Sequence, residues 1–193
     1  MKQLPPTPQP PRLGRAQLVL GLYAALALAG VLTGGYRGDA NVYTLPGAKT
    51  GPLKLALSPL CGVALGLFVV FLSRLAVHRF EWARLLHREF RALLGELGQA
   101  EILLLALASS VGEEVFFRGA LLPAIGIWAS SAVFALLHIG PGRRYLPWTV
   151  SAFLMGLAMS VLARWLGDLG APIAAHFTIN FMNLRHITSH ELL

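Results

Sequence analysis

Apolar and polar positions divide the chain into long apolar runs separated by short polar punctuation. The apolar runs cover residues 16–33, 55–72, 100–122, 127–139 and 147–166, and a last one starts at Pro172 and continues to about Asn183. Runs of roughly 18 or more apolar residues can cross a hydrocarbon core as helices. Residues 127–139 are the exception, because a helix of that length is only about 20 Å long and cannot span alone. Pro59 falls near the start of the second run, where proline is tolerated, and Pro123 with Gly126 closes the third. Residues 34–54, with their glycines, Asp39, Asn41 and Pro46, read as a polar loop. Residues 140–144 and 167–170 read as turns.

Residues 74–99 follow a different pattern. Arg84, Arg88 and Arg91 recur at helical spacing, while Leu86, Phe90, Leu93, Leu94 and Leu97 line another face. This predicts a basic amphipathic helix, either lying on the membrane surface or packed on the bundle. The expected architecture is therefore all-α, a polytopic transmembrane helical bundle of about six membrane segments plus one amphipathic surface helix. It divides into a flexible proline-rich tail (1–15), two spans with the amphipathic helix (16–99), a membrane core (100–185) and a short C-terminal tail (186–193). Ala27-Leu28-Ala29 offers a small-x-small cleavage site, but the length of the first run favours its retention as a span.

Composition supports this picture. Hydrophobic residues make up 55% of the 193 and charged residues 13%, against about 25% charged in soluble domains. The net charge of +7 does not imply nucleic acid as a partner, since the basic residues are interleaved with apolar runs and form no single face. The bilayer is the expected partner. With a cytoplasmic N-terminus and alternating crossings, eleven Lys and Arg fall on inner segments against four outside, Arg37, Lys49, Lys54 and Arg164. That bias agrees with the positive-inside rule, and a bacterial inner membrane is the expected setting. Lone Cys61 excludes an internal disulfide. Trp128, Trp148 and Trp165 near segment ends read as interface anchors. His78, His87, His186 and His190 sit in polar stretches and are expected to be solvated.

The candidate chemistry lies inside the apolar runs. Glu113, Glu114 and Arg118 fall within six residues of the third run, and each ionisable group at membrane depth costs about 2.5–3.5 kcal/mol on insertion scales. Residues four apart share a helix face, so Glu114 is placed to pair with Arg118, while Glu113 points about 100° away. Glu114–Arg118 reads as a supporting ion pair and Glu113 as the free carboxylate, a candidate general base or acid. Further on, Phe134 and His138 share a face, as do His176 and Asn180. A glutamate, two histidines and an asparagine can activate a water and stabilise an oxyanion. The same Glu113, His138 and His176 could instead hold a divalent metal such as zinc. Singly, a membrane histidine or asparagine is more often glue between helices. Ser109 and Ser110, without an obvious base, read as backbone- or carboxylate-bonded.

Glu113-Glu114-x-x-x-Arg118, Phe134-x-x-x-His138 and His176-x-x-x-Asn180, in that order on successive membrane helices, resemble the CPBP family of CAAX-processing and bacteriocin-processing (Abi) intramembrane proteases. The resemblance covers about residues 101–183. It implies peptide-bond hydrolysis at or within the membrane, on a membrane-associated or lipidated peptide or protein. It implies that Glu113 and His138 activate the water, that His176 and Asn180 form the oxyanion site, and that Glu114 and Arg118 support the first motif. Two other readings use the same groups: a non-proteolytic immunity or scaffold protein that binds a peptide in the cavity, and an ion or proton pathway. One geometric difficulty follows from straight alternating helices, which leave Glu113 and His176 about 10 Å from His138 along the membrane normal; a tilted or re-entrant fourth segment, helped by Pro123 and Gly126, would close that gap.

Overall fold

The computed structural model describes residues 12–189, with the side chains of 12–16 excepted. Seven α-helices make up the fold, with no strand among the described residues: α1 (Arg12–Arg37), α2 (Pro52–Arg79), α3 (Glu81–Leu94), α4 (Gln99–Glu114), α5 (Leu122–Leu136), α6 (Leu146–Leu166) and α7 (Gly170–Ser189). A π-helical segment, Val115–Leu121, joins α4 to α5, and a 3-10 turn, Arg143–Tyr145, precedes α6. Four stretches are long and apolar enough to cross a membrane: Gln17–Arg37, Pro52–Arg79, Gln99–Leu136 and Arg143–Leu166. Residues 1–11 of the expected tail, and His190, lie outside the described residues, whereas residues 12–15 belong to α1.

The exposed surface is apolar, and the interior mixes small and polar residues with a few large apolar ones such as Phe117, Ile102 and Met159. Leu18, Leu32, Leu60, Phe68, Phe71 and Trp165 face outward, while Ser58, Ser109, Ser110, Ser131 and Ser160 are buried. This suits a hydrocarbon solvent, in which close backbone approach and hydrogen bonding drive helix association. Helix α2 shows the device. Its buried residues are Ser58, Gly62, Gly66 and Val70, four apart along one stripe, and α7 packs on it. A methyl group at Gly62 would collide with the Ala171 backbone carbonyl, and one at Gly66 would come within 2.7 Å of Thr178 Cβ.

The third apolar run does not continue as a regular α-helix to Leu122. From Val115 the winding widens to π, and Leu122 N–H donates to Phe117 O five residues back. Pro123 lacks an N–H and cannot serve the Gly119 carbonyl four residues earlier. Arg37, at the end of α1, supplies donors instead, to Gly119 O and Ala120 O, both at 2.9 Å. Asp39 pairs with the same guanidinium and holds it in place.

At Gly126 the backbone leaves helical geometry altogether, with φ 82° and ψ 174°, a region open to glycine. There the chain doubles back. A straight helix would hold Phe117 and Phe134 about 25 Å apart, yet their rings pack edge to face at 5.0 Å. The stretch Gln99–Leu136 is therefore one span to Ile125 followed by a short returning segment.

Two further expectations change. Helix α7 runs past Asn183 to Ser189, because Arg91 on α3 donates to the end carbonyls of Ile187 and Thr188 at 2.9 and 2.8 Å. Helix α3 packs on the bundle by one face, burying Ala83 and His87, while Trp82, Leu85 and Leu93 on another face stay exposed. His87 is thus not solvated; its ring meets that of His186 edge-on at 5.4 Å. His78 is exposed, as expected.

Gly62→Val tests the α2–α7 contact. The added side chain meets backbone rather than a flexible side chain, so a loss of about 3 kcal/mol, the upper end of overpacking costs, is expected. It should appear as a lower thermal midpoint in detergent, and Gly21→Val, at a position with open space around it, should not show it.

Candidate functional site

Glu114 is the hub of the buried polar groups. It is 0% exposed, and its Oε1 accepts from Arg118 Nη1 at 2.8 Å and from His176 Nδ1 at 2.7 Å. The i,i+4 pairing thus forms even though Arg118 lies in the π segment. Arg118 reaches further: Nη2 donates to Gly156 O on α6 at 3.3 Å, and the guanidinium carbon sits 4.5 Å from the centre of the Phe134 ring. One carboxylate and one guanidinium therefore connect α4, α5, α6 and α7. Gly156 permits this approach, since α6 there runs against Ser131.

Glu113 has different surroundings. It is buried, and its Oε2, like that of Glu114, has no hydrogen-bond partner, but neither Arg118 nor His176 bonds to it. Its charge acts on both His138 and His176. Tyr23 of α1 also faces it, with its phenol coupled to the carboxylate by charge and hydrogen bonding. Gly112 makes this possible, because any Cβ there would come within 2.6 Å of the Tyr23 carbonyl oxygen.

The hairpin at Gly126 brings His138 to the level of the glutamates. Glu113 lies thirteen residues before Gly126 and His138 twelve after it, so the 10 Å offset expected from straight crossings disappears. Nδ1 of His138 lies 2.7 Å from Phe134 O. A carbonyl only accepts, so Nδ1 carries the proton and the neutral ring presents a lone pair at Nε2. Thr149 Oγ1 donates to the His138 carbonyl at 2.8 Å. The ring lies between Phe134 at 4.4 Å and Trp148 at 5.2 Å. Trp148 also packs on Phe90 of α3, so it is a wall of the site rather than an interface anchor. Trp128 and Trp165 are exposed as expected.

On α7, the Phe134 ring meets His176 edge-on at 6.2 Å. Asn180 Nδ2 donates to Ser109 Oγ at 2.9 Å, and that hydroxyl donates to Ala106 O at 3.2 Å. The relay spends one amide N–H and orients the second. Ser109 is hydrogen-bonded to backbone, in the supporting role expected of it.

Among the described residues, no three His, Cys, Asp or Glu side chains form a cluster that could hold a metal ion. Nδ1 of His176 is held by Glu114 and Nδ1 of His138 by its own helix, which leaves Nε2 as the outward nitrogen of each ring.

Sequence reasoning missed the groups that hold α7 at its other end. Asp168 is 0% exposed. Its Oδ1 accepts from Ser58 Oγ and from Gly170 N at the start of α7, and Ala171 N donates to Ser58 Oγ at 2.8 Å. Loop residues 43–45 close over this point, with Leu169 N donating to Tyr43 O and Leu45 N to Gly167 O, both at 2.9 Å. Burial, and the Asp168 charge beside it, push the Tyr43 phenol up from its ordinary pKa. An aspartate two residues ahead of a helix start is a capping signal, and that signal was available in the sequence.

Residues 97–182 match the family model described as type II CAAX prenyl endopeptidase Rce1-like. That segment, a little under half of the chain, is what the family model resembles. All three motifs fall inside it, in keeping with the resemblance to the CPBP family. The chain is also 38% identical over 82 residues to the uncharacterized protein YpbD of Bacillus subtilis (strain 168), an alignment that spans 41% of each chain. No solved structure matches. Tyr23, Arg37 and Ser58, which brace the matched segment, lie outside it.

Glu114→Ala should cost about 3–5 kcal/mol, because it leaves Arg118 and His176 buried without their shared partner. Glu114→Gln keeps the shape and one acceptor oxygen and should cost less. Thermal unfolding in detergent orders the three proteins. An alanine variant as stable as wild type would show that this cluster does not tie α4 to α7.

Proposed function

We propose that the protein is a glutamic-type intramembrane endopeptidase. Its substrate is a membrane-associated or lipidated peptide or protein, cut near its C-terminus or membrane anchor. The reading is supported by the Rce1-like match and by one observation above the others. Glu113 is buried beside Glu114, yet it is Glu114 that takes the Arg118 guanidinium and His176, so Glu113 is the carboxylate of the pair left for a water.

The roles follow from which atoms are already committed. A water between Glu113 and His138 gives its proton to the Glu113 carboxylate, while the lone pair on His138 Nε2 accepts the second hydrogen and aims the oxygen. The oxygen attacks the scissile carbonyl carbon, and the carbonyl electrons move onto its oxygen. Asn180, through its second amide N–H, donates to that oxyanion, and His176, held at Nδ1 by Glu114, turns Nε2 toward it and donates from there in its doubly protonated form. When the tetrahedral intermediate collapses, the C–N bond breaks and Glu113 returns its proton to the leaving amine. Glu114, Arg118 and Phe134 touch no reacting atom in this scheme; they hold His176 and His138 in register.

Glu113→Gln should lower turnover of prenylated C-terminal peptides in detergent by about 10²–10⁴-fold, the usual share of a positioned acid–base group. A chelator should leave wild-type turnover unchanged. Turnover that survives Glu113→Gln, or that the chelator abolishes, would sink the glutamic mechanism.

A further inference from the structure

A groove of about 550 Å³ lies between the C-terminal halves of α2 and α7, on a side of the bundle that the proposed chemistry does not use. Arg74, Arg185 and His186 give it a basic rim, and Phe177, Phe181 and Met182 an apolar wall. Among the described residues, no carboxylate lines it. Phe177 and Phe181 stack one turn apart, with ring centres at 5.6 Å. Arg74 is fixed in place, donating to Asn183 Oδ1 and Met182 O at 2.9 Å each. Two of its five N–H groups are thereby used. Arg185 is exposed, and its guanidinium has no hydrogen bond or ion pair with a described residue. The Arg91 bonds to the last carbonyls of α7 keep this end of the helix wound.

Such a groove selects for a molecule with an anionic head and an apolar body. Its position narrows the choice. Arg74, Arg185, Arg91 and the Arg144–Glu89 pair all gather at one end of the bundle, the end that the positive-inside rule turns toward the cytoplasmic leaflet. That leaflet is rich in anionic lipid, and basic pockets between membrane helices on that side bind anionic headgroups. Free phosphate would satisfy the rim and leave the aromatic wall unused. Neighbouring charges on α3 contribute less, because Arg84 and Arg88 are partly answered by Glu81. The Arg84 hydrogen bond, with the charges of both arginines, holds that carboxyl below its ordinary pKa range.

We infer that this groove is a binding site for an anionic glycerophospholipid, with the phosphate between Arg74 and Arg185 and an acyl chain along Phe177 and Phe181. The site is independent of the hydrolytic reading. It bears on it through α7, because Phe177 and Phe181 sit about 100° around the helix from His176 and Asn180.

Native mass spectrometry of the full chain in neutral detergent tests the site, using dioleoyl phosphatidylglycerol and dioleoyl phosphatidylcholine as probes. Phosphatidylglycerol should be retained at least fivefold more than phosphatidylcholine. Arg185→Gln should lower its retention roughly fivefold, as expected for one arginine near an anionic headgroup. Phe181→Ala should lower it as well, and Arg164→Gln, at the opposite end, should leave it unchanged. Equal retention of the two lipids overturns the inference, and so does an equal loss in the Arg164 and Arg185 variants. Displacement of the lipid by millimolar inorganic phosphate would show a free-anion site instead. Circular dichroism confirms that each variant is folded.

Discussion

A carboxylate buried at membrane depth must be paired, and in this protein Glu114 is paired twice through one oxygen. Arg118 and His176 share it, and no water of the bulk phase competes with them at zero exposure. Much of the arrangement depends on that requirement. Arg118 can reach Glu114 only if the winding between them keeps the two on one face. His176 can reach it only if α7 stands at one height and one rotation. The remaining capacity of Arg118 goes to a carbonyl of α6 and to the face of Phe134, so the pair also sets where the returning segment lies. Desolvation makes such a knot a poor source of net stability but a strong source of register, since any displaced helix would leave a bare charge in hydrocarbon.

Glu113 is the complement of this arrangement. Its neighbour takes the strong donors, Arg118 and His176. Two consecutive glutamates on a helix cannot share a face, so the chain itself separates the paired carboxylate from the one proposed to be reactive. The hairpin at Gly126 then delivers a histidine with a free Nε2 to the same depth. The glycine has a specific task there, because its positive φ permits a reversal that no other residue would make cheaply.

Much of this was legible in the chain. The apolar runs, the Glu114–Arg118 pair and the two histidine motifs follow from periodicity and from the cost of burying charge. Other features resisted reading for identifiable reasons. The π winding at Val115–Leu121 depends on Arg37 serving a carbonyl 82 residues away, and local sequence shows only Pro123. Pro123 and Gly126 point to a tilted or re-entrant fourth segment, but only the positive φ of Gly126 shows that the chain reverses there and lifts His138. His87 looked solvated because its neighbours in sequence are polar, while its neighbours in space are α7 and His186. Tyr23 sits in an unremarkable apolar run, and only the close approach of α1 at Gly112 shows what it faces.

The Arg37 contact has a wider consequence. The likeness to the family is confined to residues 97–182, yet the carbonyls released where that segment turns back are answered by a guanidinium from α1. The start of α7 is likewise fastened by a serine from α2. The segment that carries the likeness is therefore not a detachable module. Within this chain the core and its braces therefore stand under different demands: the core must keep its motif residues, whereas each brace has only to bring a donor to the right point.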